Sequence, residues 1–427
     1  MKVEELYDRF LDCSAISIDT RKIAPGSLFV ALKGENFNAN TFAEEAISKG
    51  AKYVIIDEPQ YKTSENMLLV EDSLVALQQL ANYHRRQLGL PVIALTGSNG
   101  KTTTKELINA VLSTKYKTTA TVGNLNNHIG VPLTLLSFTD ETEIGIVEMG
   151  ANHQREIELL CKIAEPNFGY ITNFGKAHLE GFGGADGVIK GKSELYDYLE
   201  QNNKTAFVNL DDPIQKEKTS KISRYTFAVD NYNCDLRIET IKADPMVTIQ
   251  LKDTKINSNL IGGYNVSNIS AAIAIGDFFK ISHDKIRTAI ENYIPANNRS
   301  QLLEKNGNKI ILDAYNANPS SMEAAIENLA QLPDVSKMAI LGDMFELGEE
   351  SLEEHKQLVK KMASKSNVEV YFIGHDFYAN RTQDEHLTFF EKFEDFQAHF
   401  GMLKPINKTI LIKGSRGMAL ERVLDLL

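Results

Sequence analysis

A short run of glycine, serine, asparagine, lysine and threonine at residues 96–102 carries the clearest chemistry in the sequence. The run reads Thr-Gly-Ser-Asn-Gly-Lys-Thr, follows the apolar stretch 92–95 and opens a segment of helical periodicity at 103–112. Glycines allow a tight turn whose amide N–H groups point at phosphate oxygens, and the start of a helix adds partial positive charge. The sequence therefore predicts a phosphate-binding turn made of Gly97, Ser98, Asn99, Gly100, Lys101, Thr102 and Thr103.

Within this turn, the lysine and the threonine that follows it have separate predicted roles. Lys101 would reach the outer phosphates of a nucleotide triphosphate, and the hydroxyl of Thr102 would hold Mg²⁺. The general phosphate-loop pattern has glycine five residues before the Gly-Lys pair, whereas Leu95 stands there in this chain. Because of this difference, the turn is typical of a smaller group of ATP-binding proteins than the general phosphate-loop pattern covers.

Acidic and basic side chains at the ends of predicted strands extend the candidate site. Glu148 ends a predicted strand, and ligands of an open parallel sheet collect at the carboxyl ends of its strands. Its carboxylate is thus a candidate Mg²⁺ ligand. Asp313, at the end of a later strand, could accept hydrogen bonds from ribose hydroxyls, and Arg299 near a domain boundary could contact phosphate. By spacing alone, His178 and Lys192 are a loop histidine and a solvated helix lysine.

The elements that position these residues alternate between strand and helix, which predicts an α/β protein. Residues 1–88 form a small α/β unit with strands at 27–32 and 53–57 and a helix at 74–86. Residues 89–296 form the nucleotide domain, with strands at 144–149, 168–172 and 206–209, antiparallel strands within 236–251 and a helix at 267–279. Pro295 and the pair Asn297-Asn298 mark a boundary. Residues 297–427 form a second doubly wound unit with strands at 309–313, 338–343, 368–373 and 409–413.

Composition excludes several classes of protein. The formal net charge of −11 over 427 residues argues against a broad nucleic-acid footprint. The N-terminus is acidic where a secretory signal is basic and then apolar, and no apolar run reaches membrane-spanning length. The three cysteines, Cys13, Cys161 and Cys234, are widely separated, which argues against a disulfide framework. We expect a cytoplasmic protein, with no nucleic-acid or membrane partner.

Four segments together resemble the Mur ligase family, cytoplasmic enzymes of bacterial cell-wall precursor synthesis. They are the turn at 96–102, Glu-Met-Gly-Ala-Asn-His at 148–153, and the stretches around His178 and Lys192. The resemblance covers almost the whole chain. It implies a uridine-nucleotide domain, a central P-loop ATPase-like parallel sheet and a C-terminal Rossmann-like domain for the amine substrate.

The resemblance also supplies roles that spacing did not. It implies that His178 contacts a second Mg²⁺ and that Lys192 carries CO₂ as a carbamate, an oxygen-bearing anion that suits Mg²⁺. Asn265 and Asn268 resemble the adenine-side asparagines of the family. Two positions depart from the family pattern: Tyr264 stands where relatives often have histidine, and Arg155 replaces a frequent glycine.

The flanking segments resemble the family member that catalyses the fourth amino-acid addition. Residues 19–34 are similar to uridine-nucleotide-binding segments, in which Thr20 and Arg21 would contact diphosphate or uracil. Amides hydrogen-bond sugar hydroxyls and peptide groups without changing charge. Two Asn-rich motifs of that member therefore supply the candidate substrate contacts Asn124, Asn126, Asn127, Asn316 and Asn318. Lys413 and Arg416 are candidates for binding the dipeptide carboxylate or phosphate, or are solvated surface charges.

These resemblances imply an ATP-dependent amide ligase that joins UDP-N-acetylmuramoyl-tripeptide to D-alanyl-D-alanine through an acyl phosphate, with two Mg²⁺ ions. We expect a monomer whose partners are small-molecule substrates. Two alternatives stay open: the third-step ligase of the family, whose last domain would show an Asp-Asn-Pro-Arg motif absent here, and a nucleotide-driven switch module. The third residue of the tripeptide, lysine or diaminopimelate, also stays open.

Overall fold

The chain is described by a computed structural model that covers residues 1–231, 233–243, 245–295 and 298–427. Its first part is a four-stranded parallel sheet with strand order β1-β2-β5-β6 and a small β3–β4 hairpin. Its elements in chain order are α1 (Val3–Leu11), β1 (Ile16–Ser17), β2 (Leu28–Val30), β3 (Lys33–Gly34), β4 (Phe37–Asn38), α2 (Ala43–Ser48), β5 (Tyr53–Ile56), β6 (Met67–Leu69) and α3 (Ser73–Leu88).

A seven-stranded sheet follows, in which every described pairing is parallel and the strand order is β13-β12-β11-β10-β7-β9-β8. The elements are β7 (Val92–Thr96), α4 (Lys101–Leu112), β8 (Thr118–Ala120), α5 (Gly130–Leu136), β9 (Ile144–Glu148), α6 (Glu156–Ala164), β10 (Phe168–Ile171), α7 (Leu179–Phe182), α8 (Ala185–Gln201), β11 (Thr205–Asn209), α9 (Pro213–Lys218), β12 (Ser223–Ala228) and β13 (Leu236–Arg237). Strand β7 is buried at all five positions and lies between β10 and β9. The loop after β7 is therefore flanked by the loops after these two neighbours.

Three antiparallel strands and two helices complete the central part: β14 (Glu239–Ala243), β15 (Met246–Leu251), β16 (Thr254–Ile261), α10 (Asn265–Phe278) and α11 (His283–Asn292). The predicted antiparallel pairing is wrong for the start of the 236–251 segment, because Leu236 pairs in parallel with Phe227 on β12. A two-residue alternation shows which side chains are buried; it does not identify the partner strand. The predicted boundary at 296/297 lies outside the described residues.

The last part is a six-stranded sheet with strand order β17-β18-β22-β19-β20-β21, in which only β17 is antiparallel to its described neighbour. Its elements are β17 (Gln301–Lys305), β18 (Asn308–Asp313), α12 (Pro319–Gln331), β19 (Lys337–Gly342), α13 (Ser351–Ala363), β20 (Val368–Ile373), α14 (His375–Ala379), β21 (Leu387–Phe390), α15 (Phe393–Leu403) and β22 (Thr409–Lys413). The α/β class with a mainly parallel central sheet is confirmed.

Helix α3 fastens the first sheet to the central one. Asp72 caps its start by accepting a hydrogen bond from the amide of Val75, and Gly89 ends it at φ +62°. Arg85, buried on this helix, donates to the carbonyl oxygens of Ala164 at 3.0 Å and Glu165 at 3.1 Å. Among the described helices, none is both long and apolar enough to cross a lipid bilayer.

Candidate functional site

The loop after β7 folds as a tight turn whose two glycines have no room for a side chain. Gly97 has φ +141° and Gly100 has φ +78°. A Cβ atom at Gly97 would lie 2.0 Å from Oγ1 of Thr172, and one at Gly100 would lie 2.6 Å from Oδ1 of Asn268. Both distances are far below van der Waals contact, so the loop path itself requires glycine at these positions.

The end of β10 and the residues after it hold this loop in place. The backbone oxygen of Asn99 accepts from Oγ1 of Thr172 at 2.6 Å and from Nδ2 of Asn173 at 3.0 Å, and its amide donates to Oδ1 of Asn173 at 3.1 Å. The hydroxyl of Ser98 donates to the carbonyl of Gly175 at 2.6 Å. The turn is thus preorganised by a neighbouring strand of the sheet.

Lys101 begins helix α4, and its side chain folds back over the turn. Its ammonium donates to the carbonyl oxygens of Gly97 at 2.7 Å and Ser98 at 3.2 Å. Burial lowers the pKa of Lys101 from its usual value, and the carboxylate of Glu148 opposes that change. The lysine therefore lies at the mouth of the turn, where the outer phosphates of a nucleotide would be held.

The carboxylate of Glu148 fits a cation. It is buried at the end of β9, and Oε1 accepts from Nδ2 of Asn126 at 2.8 Å. Its second oxygen, Oε2, is also buried, and it has no hydrogen-bond partner among the described residues. A buried carboxylate oxygen without a partner is costly, and a bound cation removes that cost. The hydroxyl of Thr102, on the first turn of α4, lines the same cavity.

His178 lies where the central part meets the C-terminal part. It has φ +54°, and its Nδ1 contacts the carboxylate of Glu346 in the loop after β19. The His178 ring, which lies against this carboxylate, lowers the pKa of Glu346. Nearby, Nζ of Lys176 contacts the largely buried carboxylate of Glu354 at 2.5 Å. The segment that follows β10 is therefore held by side-chain contacts to the C-terminal part.

Lys192 is a fully buried lysine on α8 and does not line the cavity. Its ammonium donates to the carbonyl of Ala151 at 3.0 Å and lies 4.9 Å from the centre of the Phe182 ring. Burial, with a further contribution from the charge of Lys101, brings its pKa well below the usual value. The prediction of a solvated lysine from spacing alone is wrong, because α8 packs this face against the loop after β9.

The side-chain amides of two asparagines at the start of α10 form hydrogen bonds to other residues of the central part. Nδ2 of Asn265 donates to the carbonyl of Ile261, and Nδ2 of Asn268 donates to Oδ1 of Asn265, both at 2.8 Å. Oδ1 of Asn268 accepts from the hydroxyl of Thr104 at 3.1 Å, beside Gly100. Both amides line the cavity, and Asn268 also packs against the phosphate-binding turn.

The C-terminal part adds a group of charged residues. Oδ2 of Asp313 contacts Nζ of the buried Lys413 at 2.6 Å, and its Oδ1 accepts from the amide of Ser300 at 3.0 Å. The guanidinium of Arg299 stacks 3.7 Å from the ring centre of Tyr315. Its Nε is buried without a hydrogen-bond partner in the described part of the chain.

A cavity of about 890 Å³ lies between the central and C-terminal sheets and brings most of the predicted residues together. The predicted residues that line it are Ser98, Asn99, Gly100, Lys101, Thr102, Thr103, Asn124, Asn126, Asn127, Glu148, His178, Asn265, Asn268, Arg299, Asp313, Asn316, Asn318 and Lys413. The predicted residues outside its lining are Gly97, Thr20, Arg21, Lys192 and Arg416.

The predicted contacts in the first domain lie apart from this cavity. Arg21 is bound in a bidentate pair to Asp19 at 2.9 and 2.8 Å and is exposed. The carbonyl oxygen of Thr20 accepts from Nζ of Lys49 at 3.2 Å. Arg416, in the C-terminal part, also lies outside the cavity lining; it contacts Glu421 at 3.0 Å and is exposed. Their predicted roles in substrate binding stay predictions.

Sequence reasoning missed the residues that support the site. Thr172 and Asn173 hold the turn by hydrogen bonds to Asn99. The hydroxyl oxygen of Ser320 accepts a hydrogen bond from the amide of Lys176 at 2.9 Å, across the boundary between the two sheets. The position of Asn173, directly after a buried strand next to β7, is the signal that could have identified it. The contact made by Ser320 spans 144 residues, and no local pattern indicates it.

Comparisons with protein-family models match nearly the whole chain. The Mur ligase middle domain matches residues 95–276. The model described as Mur ligase, glutamate ligase domain matches 298–416, and the model described as Mur ligase family, catalytic domain matches 12–93.

Curated proteins and solved structures agree with these matches. The UDP-N-acetylmuramoyl-tripeptide--D-alanyl-D-alanine ligases of Bacillus subtilis and Escherichia coli are 35% and 36% identical, over 96% and 98% of this chain and 92% and 94% of theirs. A crystal structure of MurF from Acinetobacter baumannii has a TM-score of 0.88 at 31% identity, covering 100% of this chain and 98% of that one. MurF ligase from Thermotoga maritima, in complex with ADP, has a TM-score of 0.85 at 28% identity, with 98% and 97% covered.

Proposed function

The chain belongs to the Mur ligase family, and from that premise we propose that it is the ATP-dependent ligase joining UDP-N-acetylmuramoyl-tripeptide to D-alanyl-D-alanine in peptidoglycan precursor synthesis. One structural observation carries the proposal. The phosphate-binding turn of the central sheet opens into a cavity whose opposite wall comes from the C-terminal sheet. Nucleotide and amine acceptor can therefore be held on different sides of one reaction space.

A free carboxylate resists attack by an amine because oxide is a poor leaving group, so the reaction must first convert it to an acyl phosphate, from which phosphate can leave. The terminal carboxylate of the tripeptide attacks the γ-phosphorus of ATP, the bond to the β-phosphate oxygen breaks, and ADP leaves. The amine of the dipeptide then attacks the acyl carbon, the bond to the phosphate oxygen breaks, and phosphate and a proton are released. Lys101 and the amides of the turn stabilise charge at the transferred phosphoryl group, so catalysis rests on positioning and electrostatics.

Two residues fit a magnesium ion that accompanies the nucleotide. Glu148 offers a buried oxygen without a partner, and Thr102 offers a hydroxyl at the start of α4. These two residues would hold Mg²⁺, which would supply positive charge beside the phosphate oxygens. The described residues around Oε2 of Glu148 provide no other positive group in hydrogen-bond contact with it.

We further propose that Lys192 is carbamylated and that it and His178 hold a second Mg²⁺. The support is chemical: CO₂ adds only to an uncharged amine, and burial favours the uncharged form of Lys192. Lysine as an ammonium would repel the ion, whereas its carbamate offers oxygen ligands.

On the nucleotide side, we propose that Asn265 and Asn268 lie against adenine and that Asp313 accepts from the ribose. Arg299, whose guanidinium has a buried N–H without a partner in the described chain, would contact phosphate. Asn124, Asn126, Asn127, Asn316, Asn318, Lys413 and Arg416 are proposed to contact the peptide substrates, and Thr20 and Arg21 the uridine nucleotide. We propose boundaries near 88 and 296, a cytoplasmic location and a monomeric state.

The proposal is tested by replacing the lysine of the turn. Lys101→Ala should lower turnover by a factor of about 10² to 10³, the range found when one preorganised charge-stabilising donor is removed. Lys117→Ala, at an exposed lysine paired with Glu141, is the matched control and should keep normal turnover. Near-normal turnover of Lys101→Ala, with the fold intact by circular dichroism, would defeat the assignment.

A second experiment separates the ligase from the alternatives. Phosphate release should depend strictly on both the nucleotide-linked tripeptide and the dipeptide, with the product identified by mass. Slow ATP hydrolysis that ignores both substrates would indicate a switch module instead. Product formed with a single amino acid on a nucleotide-linked dipeptide would indicate the third-step ligase.

A further inference from the structure

A pair of asparagine side chains connects the phosphate-binding turn directly to the C-terminal sheet. Nδ2 of Asn318 donates to Oδ1 of Asn99 at 2.7 Å, and Nδ2 of Asn99 approaches Oδ1 of Asn318 at 3.4 Å. The two residues are 219 positions apart. The amides are neutral, half-buried or buried, and each is both donor and acceptor, so the contact is reciprocal.

Each partner is fixed by its own element before the pair forms. The backbone of Asn99 is held on both sides by Thr172 and Asn173. Asn318 is the N-cap of α12: its Oδ1 accepts from the amide of Ser321 at 2.9 Å in a capping box, and Pro319 begins the helix. Neither amide can shift far without disturbing the loop or the helix that carries it.

The pair also lies at the centre of a larger contact. Immediately beside it, the segment after β10 passes between the turn and α12, where a Cβ atom at Gly175 would lie 3.0 Å from Nδ2 of Asn99 and 3.1 Å from Oγ of Ser320. The amide of Lys176 donates to that same hydroxyl. Among these close contacts, the asparagine pair is the one that reaches a residue of the phosphate-binding turn itself, Asn99.

We propose that Asn318 is a positioning residue, which acts through Asn99 to align the C-terminal domain with the phosphate-binding turn for attack by the amine. This rests on the proposed function and deepens it. Asn318 would affect the chemistry by fixing the acceptor domain relative to the acyl phosphate, a role separate from the direct peptide contact proposed for it above. Asn318 ends the loop after β18, residues 314–318, so its position also fixes the end of this loop.

Serine variants separate the interdomain contact from the helix cap. Asn318→Ser keeps an N-cap oxygen but is too short to reach Asn99, whereas Asn318→Ala removes both functions. We expect Asn318→Ser to keep the thermal midpoint of the wild type, to lower kcat of ligation about tenfold and to raise KM for D-alanyl-D-alanine. Asn318→Ala should show the same kinetic loss together with a lower thermal midpoint.

A double-mutant cycle tests whether Asn318 acts through Asn99. Asn99→Ser should also lower kcat, and the double Ser variant should be no slower than the slower single variant, because both changes remove one interaction. Aspartate variants give an independent readout. Asn318→Asp keeps the cap but puts a carboxylate oxygen where Nδ2 donates to Oδ1 of Asn99 at 2.7 Å, so it should lower kcat at least as much as Asn318→Ser does. Asn99→Asp with Asn318→Asp places two carboxylates against each other and should be the slowest.

The outcomes are distinct. If the two serine effects multiply in the double variant, or if Asn318→Ser ligates like the wild type, Asn318 does not position the domain through Asn99 and the inference is overturned. If the wild-type protein itself forms no product from the nucleotide-linked tripeptide and the dipeptide, the proposed function fails and the inference fails with it. A nonadditive cycle, together with a loss of kcat in Asn318→Asp at least as large as in Asn318→Ser, supports the inference.

Discussion

Two lysines of the central part, Lys101 and Lys192, are shielded from solvent to different degrees: Lys101 is half-buried and Lys192 is fully buried. Lys101 lies over the carbonyl groups of its own turn, whereas Lys192 extends from the middle of α8 to the carbonyl of Ala151. In both, burial lowers the pKa of the amine, and for Lys192 it does so most strongly. An amine that loses its charge easily is a nucleophile towards CO₂, which is the property that a carbamate requires.

Replacement of Lys192 should therefore be repaired by a small added carboxylate. Lys192→Ala removes the side chain that would carry the carbamate oxygens, so we expect turnover to fall by at least about 10² and to recover in part with acetate or formate. The matched control is Lys190→Ala, an exposed lysine two residues earlier on the same helix, which should keep normal activity. Full activity of Lys192→Ala without added carboxylate would rule out a metal-holding role.

At the same scale, the partners of individual charges were the least predictable feature. The sequence led to Arg21 and Lys413 as free cations for substrate, but each has a carboxylate within 3 Å, on Asp19 and Asp313 respectively. The pair of Lys413 spans 100 residues and forms because β18 and β22 are neighbours in the sheet. Local spacing does not encode that neighbourhood.

Among the elements, α3 shows how one helix can join two sheets. Arg85 and Arg86 are adjacent on it and point at the same stretch of the central part, but their environments differ. Arg85 is buried and also donates to Oδ1 of Asn167 at 2.7 Å, while the side chain of Arg86 is 63% exposed and pairs with Glu165. Because of this difference in burial, we expect Arg85 to contribute more than Arg86 to the stability of the fold.

We expect Arg85→Ala to lower the free energy of unfolding by about 3 kcal/mol, because it leaves several buried acceptors without a donor. Arg86→Ala should cost less than about 1 kcal/mol, as exposed ion pairs contribute little. Urea denaturation of the two variants measures both values. Equal losses would contradict a larger contribution of Arg85 than of Arg86 to the docking of α3.

Elements with a strong local pattern were predictable. The apolar run before the turn, the glycines of the turn and the helix after it predicted β7 and α4, and Glu148 and Asp313 end strands as expected. The weaker pattern at 236–251 gave the wrong partner for Leu236, because its neighbour β12 is set by packing of the whole sheet. Helix boundaries differed by one or two residues, as for α10, which starts at Asn265.

For the whole molecule, the important feature is that one cavity is shared by two sheets. Buried hydrophobic residues from the first, central and last parts form one continuous cluster, and Asn99, Lys176 and His178 contact the C-terminal part directly. A ligand that fills the cavity therefore contacts both sheets at once. The binding free energy of such a ligand therefore stabilises the contact between the central and C-terminal sheets as well as each sheet by itself.

A nonhydrolysable ATP analogue should accordingly stabilise the central and C-terminal parts together. At 100 times its dissociation constant, it should add about 2.7 kcal/mol to the free energy of unfolding. Hydrogen exchange measured by mass spectrometry should show slower exchange both at the turn and in residues 314–320. Protection confined to the central sheet would contradict a shared nucleotide site.

The hydrogen bonds of Lys101 within its own turn affect how much this lysine contributes to ATP binding and how much to the reaction. An ammonium already satisfied by the carbonyls of Gly97 and Ser98 must give up those partners when a triphosphate arrives, so the exchange adds little to affinity. The ammonium of Lys101 lowers the energy mainly of the transition state, in which negative charge shifts as the phosphoryl group is transferred. The ammonium of Lys101 thus exchanges the carbonyl oxygens of its own turn for phosphate oxygens when ATP binds, and it stabilises the charge that develops as the phosphoryl group is transferred.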